Sequence, residues 1–180
     1  HEIGHGTAAF RQAGVLESRK LIGASANEQH RCNGWRGEID NHPLLDQPGA
    51  FGSNIAVAGL DELGVAIGDR FRFGSALIEV SRPRQPCWKI EHRFGERGMV
   101  RRIVQTARCG WLLRVLEAGE AEAGCRLERV ASGNPHWNVA RTFAAIWGQP
   151  KADRAEKLRE IAALPALAQG LRADLLAGLA

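Results

Sequence analysis

The stretch Arg70-Phe71-Arg72-Phe73-Gly74-Ser75-Ala76-Leu77-Ile78-Glu79-Val80-Ser81 decides the fold class. Its first four residues alternate charged and aromatic side chains, which is the period of a strand with one buried face. Gly74-Ser75 is a turn signal and residues 76–81 resume an extended pattern, so the segment predicts a β-hairpin. Upstream, Asn54-Ile55-Ala56-Val57 reads as a short strand after Gly52, and residues 64–70 as a turn-rich lead-in. Downstream, Arg126-Leu127-Glu128-Arg129-Val130 alternates like a closing strand. Short strands punctuated by glycine favour a barrel or compact mixed β fold over a parallel βαβ sheet.

Two stretches have helical spacing instead. Met99, Ile103 and Val104 fall on one face of 97–107, and Trp111, Leu112, Val115 and Leu116 predict a second helix over 110–118. Ser132-Gly133-Asn134-Pro135 marks a boundary, dividing a barrel domain (1–134) from a C-terminal module (135–180). In that module Asn138 is placed to cap a helix running to about Trp147. Gly148-Gln149-Pro150 breaks it, a second helix covers 152–164 and stops at Pro165, and a third covers 166–178. Three helices in so few residues are expected to pack on the main domain or on a second subunit, which makes a homodimer one arrangement to test. Residues 1–47 show no clear period, and 42–49 read as a loop from their breakers.

Composition bounds the rest. The chain has 180 residues, 44% of them apolar, enough for one ordinary core. No run approaches the roughly 18 apolar residues of a membrane span, and no signal-peptide core is visible. Cys32, Cys87, Cys109 and Cys125 show no CxxC spacing, which argues against a zinc site or a disulfide framework and for reduced thiols in a cytoplasmic setting. Lys and Arg number 24 against 20 Asp and Glu, a mild excess that does not by itself call for nucleic acid. Its distribution is uneven: residues 82–102 hold seven cations (Arg82, Arg84, Lys89, Arg93, Arg97, Arg101, Arg102) and two acids (Glu91, Glu96). That surplus suits an anionic ligand, although a solvated charged face explains charge alone equally well.

Within this segment, Ser81-Arg82-Pro83-Arg84-Gln85-Pro86-Cys87-Trp88-Lys89 sets one thiol among cations, directly after the hairpin. The thiolate is the nucleophile and metal ligand, and adjacent cations favour it. The two prolines keep the backbone extended there. If the strand continued, Lys89 would share a face with Cys87. A buried structural cysteine is the competing reading.

Pro48-Gly49-Ala50-Phe51-Gly52-Ser53-Asn54-Ile55, then Ile67-Gly68-Asp69-Arg70-Phe71-Arg72, then Arg82-Pro83-Arg84-Gln85-Pro86-Cys87-Trp88-Lys89, resemble the MOSC family, named for the C-terminal domain of molybdenum-cofactor sulfurases. Order and spacing resemble its YiiM-type branch, whose three-helix C-terminal appendage the tail also resembles. Thr106-Ala107-Arg108-Cys109-Gly110-Trp111 is similar to a further family segment, with Cys109 where a Thr or Ser is usual. The likeness runs over about residues 42–180. The chain departs from the branch ahead of Phe51: the usual Gly-Asp-x-Gln and His-Gly-Gly motifs are missing in clean form, Gly4-His5-Gly6-Thr7 echoes the second only distantly, and Ser53 stands where Glu is usual.

The resemblance implies a mainly β, barrel-like core with flanking helices and a pocket for the molybdenum cofactor. It maps the family cysteine, as metal ligand or sulfur carrier, onto Cys87. It also implies reduction of N-hydroxylated compounds such as hydroxylaminopurines, with electrons from a separate reductase because no dinucleotide fingerprint or iron–sulfur spacing is present. The alternative is a persulfide or cofactor carrier without turnover. Pyridoxal phosphate is mentioned for the family through fusion to a sulfurase, and nothing here resembles its binding domain.

Arg82, Arg84 and Lys89 are candidates for the cofactor's phosphate, since a guanidinium fork fits it in a bidentate way and Lys acts as a point charge. Asn54 is a candidate reader of a heterocycle edge, with a turn role as the competing reading. Arg108 is one more candidate cation. His92 and His136 are the candidate proton sources, although packing or surface roles compete for both. Trp88, Trp111, Trp137 and Trp147 are expected in the core, and Cys32, Cys109 and Cys125 are expected to be structural.

Overall fold

The computed structural model describes residues 5–10, 14–16, 21–26, 42–46, 50–150 and 152–179, with the course of the chain alone for 5–10, 14–16, 21–26, 45 and 46. Gly4, Cys32, Pro48 and Gly49 lie outside the described residues.

Nine strands run β1 (His5–Phe10), β2 (Gly14–Leu16), β3 (Leu21–Ala26), β4 (Ile55–Ala58), β5 (Arg70–Phe73), β6 (Ala76–Pro83), β7 (Trp111–Glu117), β8 (Gly119–Ala121) and β9 (Arg126–Ala131) among the described residues. Seven close a barrel in the order β1-β4-β3-β7-β6-β5-β9, while β2 and β8 form a separate two-stranded ribbon. Closure comes from β9, which pairs antiparallel with β5 on one side and β1 on the other. Among the described residues the one parallel pair in the barrel is β3 with β4.

The hairpin forms as its alternation predicts: Arg70 faces Glu79 and Phe73 faces Ala76 across β5 and β6. Gly74 turns it with φ 58°, and a side chain there would meet the Glu120 carbonyl at 2.1 Å. Phe71, Phe73, Ile78, Val80, Trp111, Leu113 and Leu127 point inward and are fully buried. Each such side chain contributes about 1.5–3 kcal/mol of transfer free energy.

The segment 110–118 is a strand and not the expected helix. Its inward residues Trp111, Leu113 and Val115 are buried, and Leu112 and Leu116 on the other face are half-buried too. Apolar residues on both faces of a strand imitate a helical stripe. The structure also places β1, β2 and β3 in the N-terminal part that has no readable period.

Five helices follow the chain: α1 (Lys89–Phe94), α2 (Met99–Thr106), α3 (Val139–Trp147), α4 (Arg154–Ala163) and α5 (Gln169–Ala177), all among the described residues. The last three match the expected C-terminal set, and the Asn138 side chain caps α3 by accepting from the Arg141 N–H at 2.8 Å. These helices are hydrogen-bonded to the barrel. The Val139 N–H donates to the Val65 carbonyl at 2.8 Å, Ala140 to Glu62 at 2.9 Å, and Ala168 to Ser81 in β6 at 3.0 Å. Phe143, Ile161 and Leu171 continue one set of buried apolar residues with Ile67 and Phe71.

Two buried acids brace the barrel near this junction. Asp69 accepts from the Ala66 N–H at 2.9 Å and the Gly133 N–H at 2.7 Å, and lies 3.3 Å from an Arg129 nitrogen. Glu79 pairs with Arg70 at 2.9 Å and with Arg114, its two cross-strand neighbours in register. Among the described residues no helix is long and apolar enough to cross a membrane.

Candidate functional site

Strand β6 delivers the cationic segment. Pro83 stands opposite Trp111 in β7, and the Arg84 N–H continues the ladder by donating to the Gly110 carbonyl at 3.0 Å. Pro86 then ends the extended run. The Cys87 carbonyl accepts from the Ile90 N–H at 3.0 Å, so α1 begins at once and the strand does not continue through Lys89. Lys89 and Arg93, one helical turn apart, both line the cleft beside Cys87.

That cleft holds about 240 Å³. Cys87 is exposed in its lining, with Arg84, Lys89 and Arg93 around it and Gly52 and Cys109 in its wall. No carboxylate lines it among the described residues. The wall is tied in place by the same cations. Arg84 Nη1 donates to the Phe51 carbonyl at 2.7 Å, and Arg93 Nε donates to the Ala50 carbonyl at 2.5 Å. Gly52 adopts φ 72°, a left-handed conformation that side chains rarely take, and a Cβ there would sit 3.4 Å from Arg84 Nη2. The Phe51 and Phe94 rings pack at 5.0 Å and join this turn to the end of α1.

Helix α2 completes the frame. Its N-terminus has no cap of its own, since Gly98 precedes Met99. Glu91 of α1 supplies one: Oε1 accepts from the Gly98 N–H at 3.0 Å and the Val100 N–H at 3.2 Å. A carboxylate at a helix N-terminus satisfies orphan donors and opposes the helix dipole. The contact fixes α2 against α1 and seats Ile103 in the cleft.

The structure therefore brings Cys87, Arg84 and Lys89 together and sets the other sequence candidates elsewhere. Arg82 is half-buried off the cleft; burial lowers its pKa below the usual arginine value, and the charge of Asp174 on α5 raises it in opposition. Asn54 is exposed just before β4 and lines no part of the cleft. Arg108 lines a different cleft of about 330 Å³, with Glu62, Thr106 and Ala140. His92 is exposed on α1 with its ring 6.5 Å from that of Trp88, and His136 meets Arg141 at 3.2 Å; neither lines the cleft. Trp88 is 66% exposed, contrary to the core expected for it, because it occupies the turn that starts α1 on the solvent side.

Two cleft residues escape a reading by composition. Arg93 becomes visible only when 89–94 is taken as a helix, which places it on the face of Lys89. Cys109 lines the same cleft as Cys87 through the extension of the β6–β7 ladder. Cys125 is half-buried and accepts from the Glu122 N–H at 3.5 Å. Among the described residues no three His, Cys, Asp or Glu side chains are grouped to hold a metal ion, so within them a metal at this cleft would rest on Cys87.

Comparison with known proteins supports the family and the fold. The family model described as MOSC domain matches residues 24–128. The chain is 38% identical over 137 residues to the uncharacterized protein YflK of Bacillus subtilis (strain 168), covering 76% of this chain and 60% of that protein. It is 36% identical over 113 residues to a protein named Reductase from Gibberella moniliformis, covering 62% of this chain and 20% of that one. The chain thus spans less than two thirds of either relative. The crystal structure of YiiM from Geobacillus stearothermophilus superposes with a TM-score of 0.81 at 30% identity, covering 99% of this chain and 86% of that one.

Proposed function

This chain belongs to the MOSC domain family, in its YiiM-type branch, and from that membership we propose that it binds the molybdenum cofactor at the Cys87 cleft and reduces N-hydroxylated compounds. The observation that carries the proposal is an exposed thiol on a cleft with three cations and no carboxylate among its described lining residues. The donor set fits the group. A thiolate is the ligand type that suits a soft, sulfur-held metal, and the cations suit a phosphate.

In this reading Cys87 Sγ would hold the metal. Arg84 is held by the Phe51 carbonyl through Nη1, which fixes its positive charge at the cleft wall where a phosphate would bind. Lys89 and Arg93 add charge from one face of α1. The left-handed turn at Gly52 keeps the wall free of a side chain beside Arg84. When bound, the cofactor supplies two-electron reduction at its metal. The chain itself binds, orients and neutralises, and electrons come from a separate reductase. The similarity to a protein named Reductase supports an oxidoreductase. The exposure of Cys87 also suits a persulfide carrier without turnover.

The test is to purify the full chain from cells supplied with molybdate, measure pterin fluorescence, and follow reduction of 6-hydroxylaminopurine with a chemical electron donor. Turnover with bound pterin supports the enzyme. A bound persulfide with neither pterin nor turnover identifies the carrier.

A further inference from the structure

Two thiols line one cleft: Cys87, exposed, and Cys109, 5% exposed in the wall. The end of the β6–β7 ladder brings their segments together: Pro83 stands opposite Trp111 and the Arg84 N–H donates to the Gly110 carbonyl at 3.0 Å. Cys87 follows three residues after Arg84, Cys109 directly precedes Gly110, and both line the one cleft of about 240 Å³. Residues 85–87 lie between the end of β6 and the start of α1, in neither element, and Gln85 and Cys87 are exposed.

The two sulfurs stand in different surroundings. Cys87 is open to solvent beside cations, where an oxidant arrives first. The Cys109 thiol is shielded in the wall and donates to the Gly110 carbonyl at 3.0 Å. An exposed thiol with a second thiol at hand is the arrangement of a reversible oxidation site.

We propose that Cys109 is the resolving thiol for oxidation of Cys87 by a hydroperoxide. The Cys87 sulfur attacks one peroxide oxygen and the O–O bond breaks. With hydrogen peroxide the departing hydroxide takes the thiol proton and leaves as water, so Cys87 becomes a sulfenic acid, oxidised by two electrons. The Cys109 sulfur then attacks Cys87 sulfur, the S–O bond breaks, and the hydroxide leaves as water with the Cys109 proton. Two thiols and one peroxide give one disulfide and two waters. The bridge stops Cys87 short of the irreversible sulfinic acid and removes its sulfur as a metal ligand until a dithiol reduces it. The chemistry needs only the two thiols, so it stands independently of the cofactor reading.

The experiment uses the full chain expressed without molybdate, reduced, freed of reductant and exposed to hydrogen peroxide. After alkylation and trypsin digestion, the expected product is peptide 85–89 joined to peptide 109–114, two hydrogens lighter than their sum and separated by dithiothreitol. Cys125→Ser keeps this bridge. In Cys109→Ser, dimedone traps a sulfenic acid on Cys87, and sulfinic acid accumulates several-fold faster than in the parent. A Cys87 bridge to Cys32 or Cys125 overturns the proposal, as does equal sulfinic acid in the parent and Cys109→Ser. The parent digest reads the bridge with no variant, so a poorly folding substitution leaves the proposal open to refutation.

Discussion

Replacing Glu91 by Ala removes the only side-chain cap that α2 has among the described residues, and the structure sets the size of the effect. Glu91 Oε1 accepts from the Gly98 and Val100 N–H groups at 3.0 and 3.2 Å, and no side chain at Gly98 can substitute. Loss of a cap costs about 0.5–2 kcal/mol. The lost charge at a helix N-terminus costs about 0.3–1 kcal/mol more. Because the site is part-buried, both donors do not recover full hydration, and the sum expected for Glu91→Ala is about 2 kcal/mol. For a chain of 180 residues, at about 2–4 °C per kcal/mol, the melting midpoint should fall by roughly 4–8 °C. Glu91→Gln keeps an acceptor without the charge and should lose about half as much. Urea unfolding followed by circular dichroism, with the slope unchanged, reads the free energy directly. A Glu91→Ala change within about 0.3 kcal/mol of the parent would refute the claim that α1 caps α2.

Other substitutions separate neighbours that the sequence treats alike. Arg84→Gln should lower cofactor content several-fold while Arg82→Gln leaves it near the parent value, because Arg84 lines the cleft and Arg82 lies off it near Asp174; pterin fluorescence per chain is the readout. Gly133→Ala should cost at least about 2 kcal/mol, since the new Cβ would meet the Ile67 carbonyl at 2.2 Å, whereas Gly170→Ala in α5 meets nothing within 4 Å and should stabilise by about 0.5 kcal/mol; thermal melts compare the pair. Glu79→Ala leaves two guanidiniums facing each other across β6. It should cost about 2–3 kcal/mol in urea unfolding, at or below the low end for breaking a buried pair, because Arg70 and Arg114 keep partial solvation.

The sequence shows most clearly those elements whose two faces differ. Arg70 and Arg72 against Phe71 and Phe73 leave one reading for β5, and Asn138 ahead of an apolar stripe leaves one for the start of α3. Strand β7 hides because Leu112 and Leu116 are half-covered on its outer side, so apolar spacing cannot tell period 2 from period 3.6. Strands β1 and β3, His-Gly-Thr-Ala-Ala-Phe and Leu-Ile-Gly-Ala-Ser-Ala, carry small residues with little contrast between faces. The site is half visible for a similar reason. Clustered cations around Cys87 are plain in the chain. Which of them share its cleft depends on where β6 stops and α1 starts, and Pro83 and Pro86 disguise that point as continuous extended backbone. Once Lys89 opens a helix, Arg93 joins the cleft, and Arg82 and Arg108 face other parts of the surface.

Elemental analysis of molybdenum per chain, in the parent and in Cys87→Ser purified side by side from molybdate-fed cells, tests the metal-ligand role most directly. The account predicts metal in the parent and its loss in the variant, with both chains showing the same circular dichroism and melting cooperatively. Equal molybdenum in the two would contradict it.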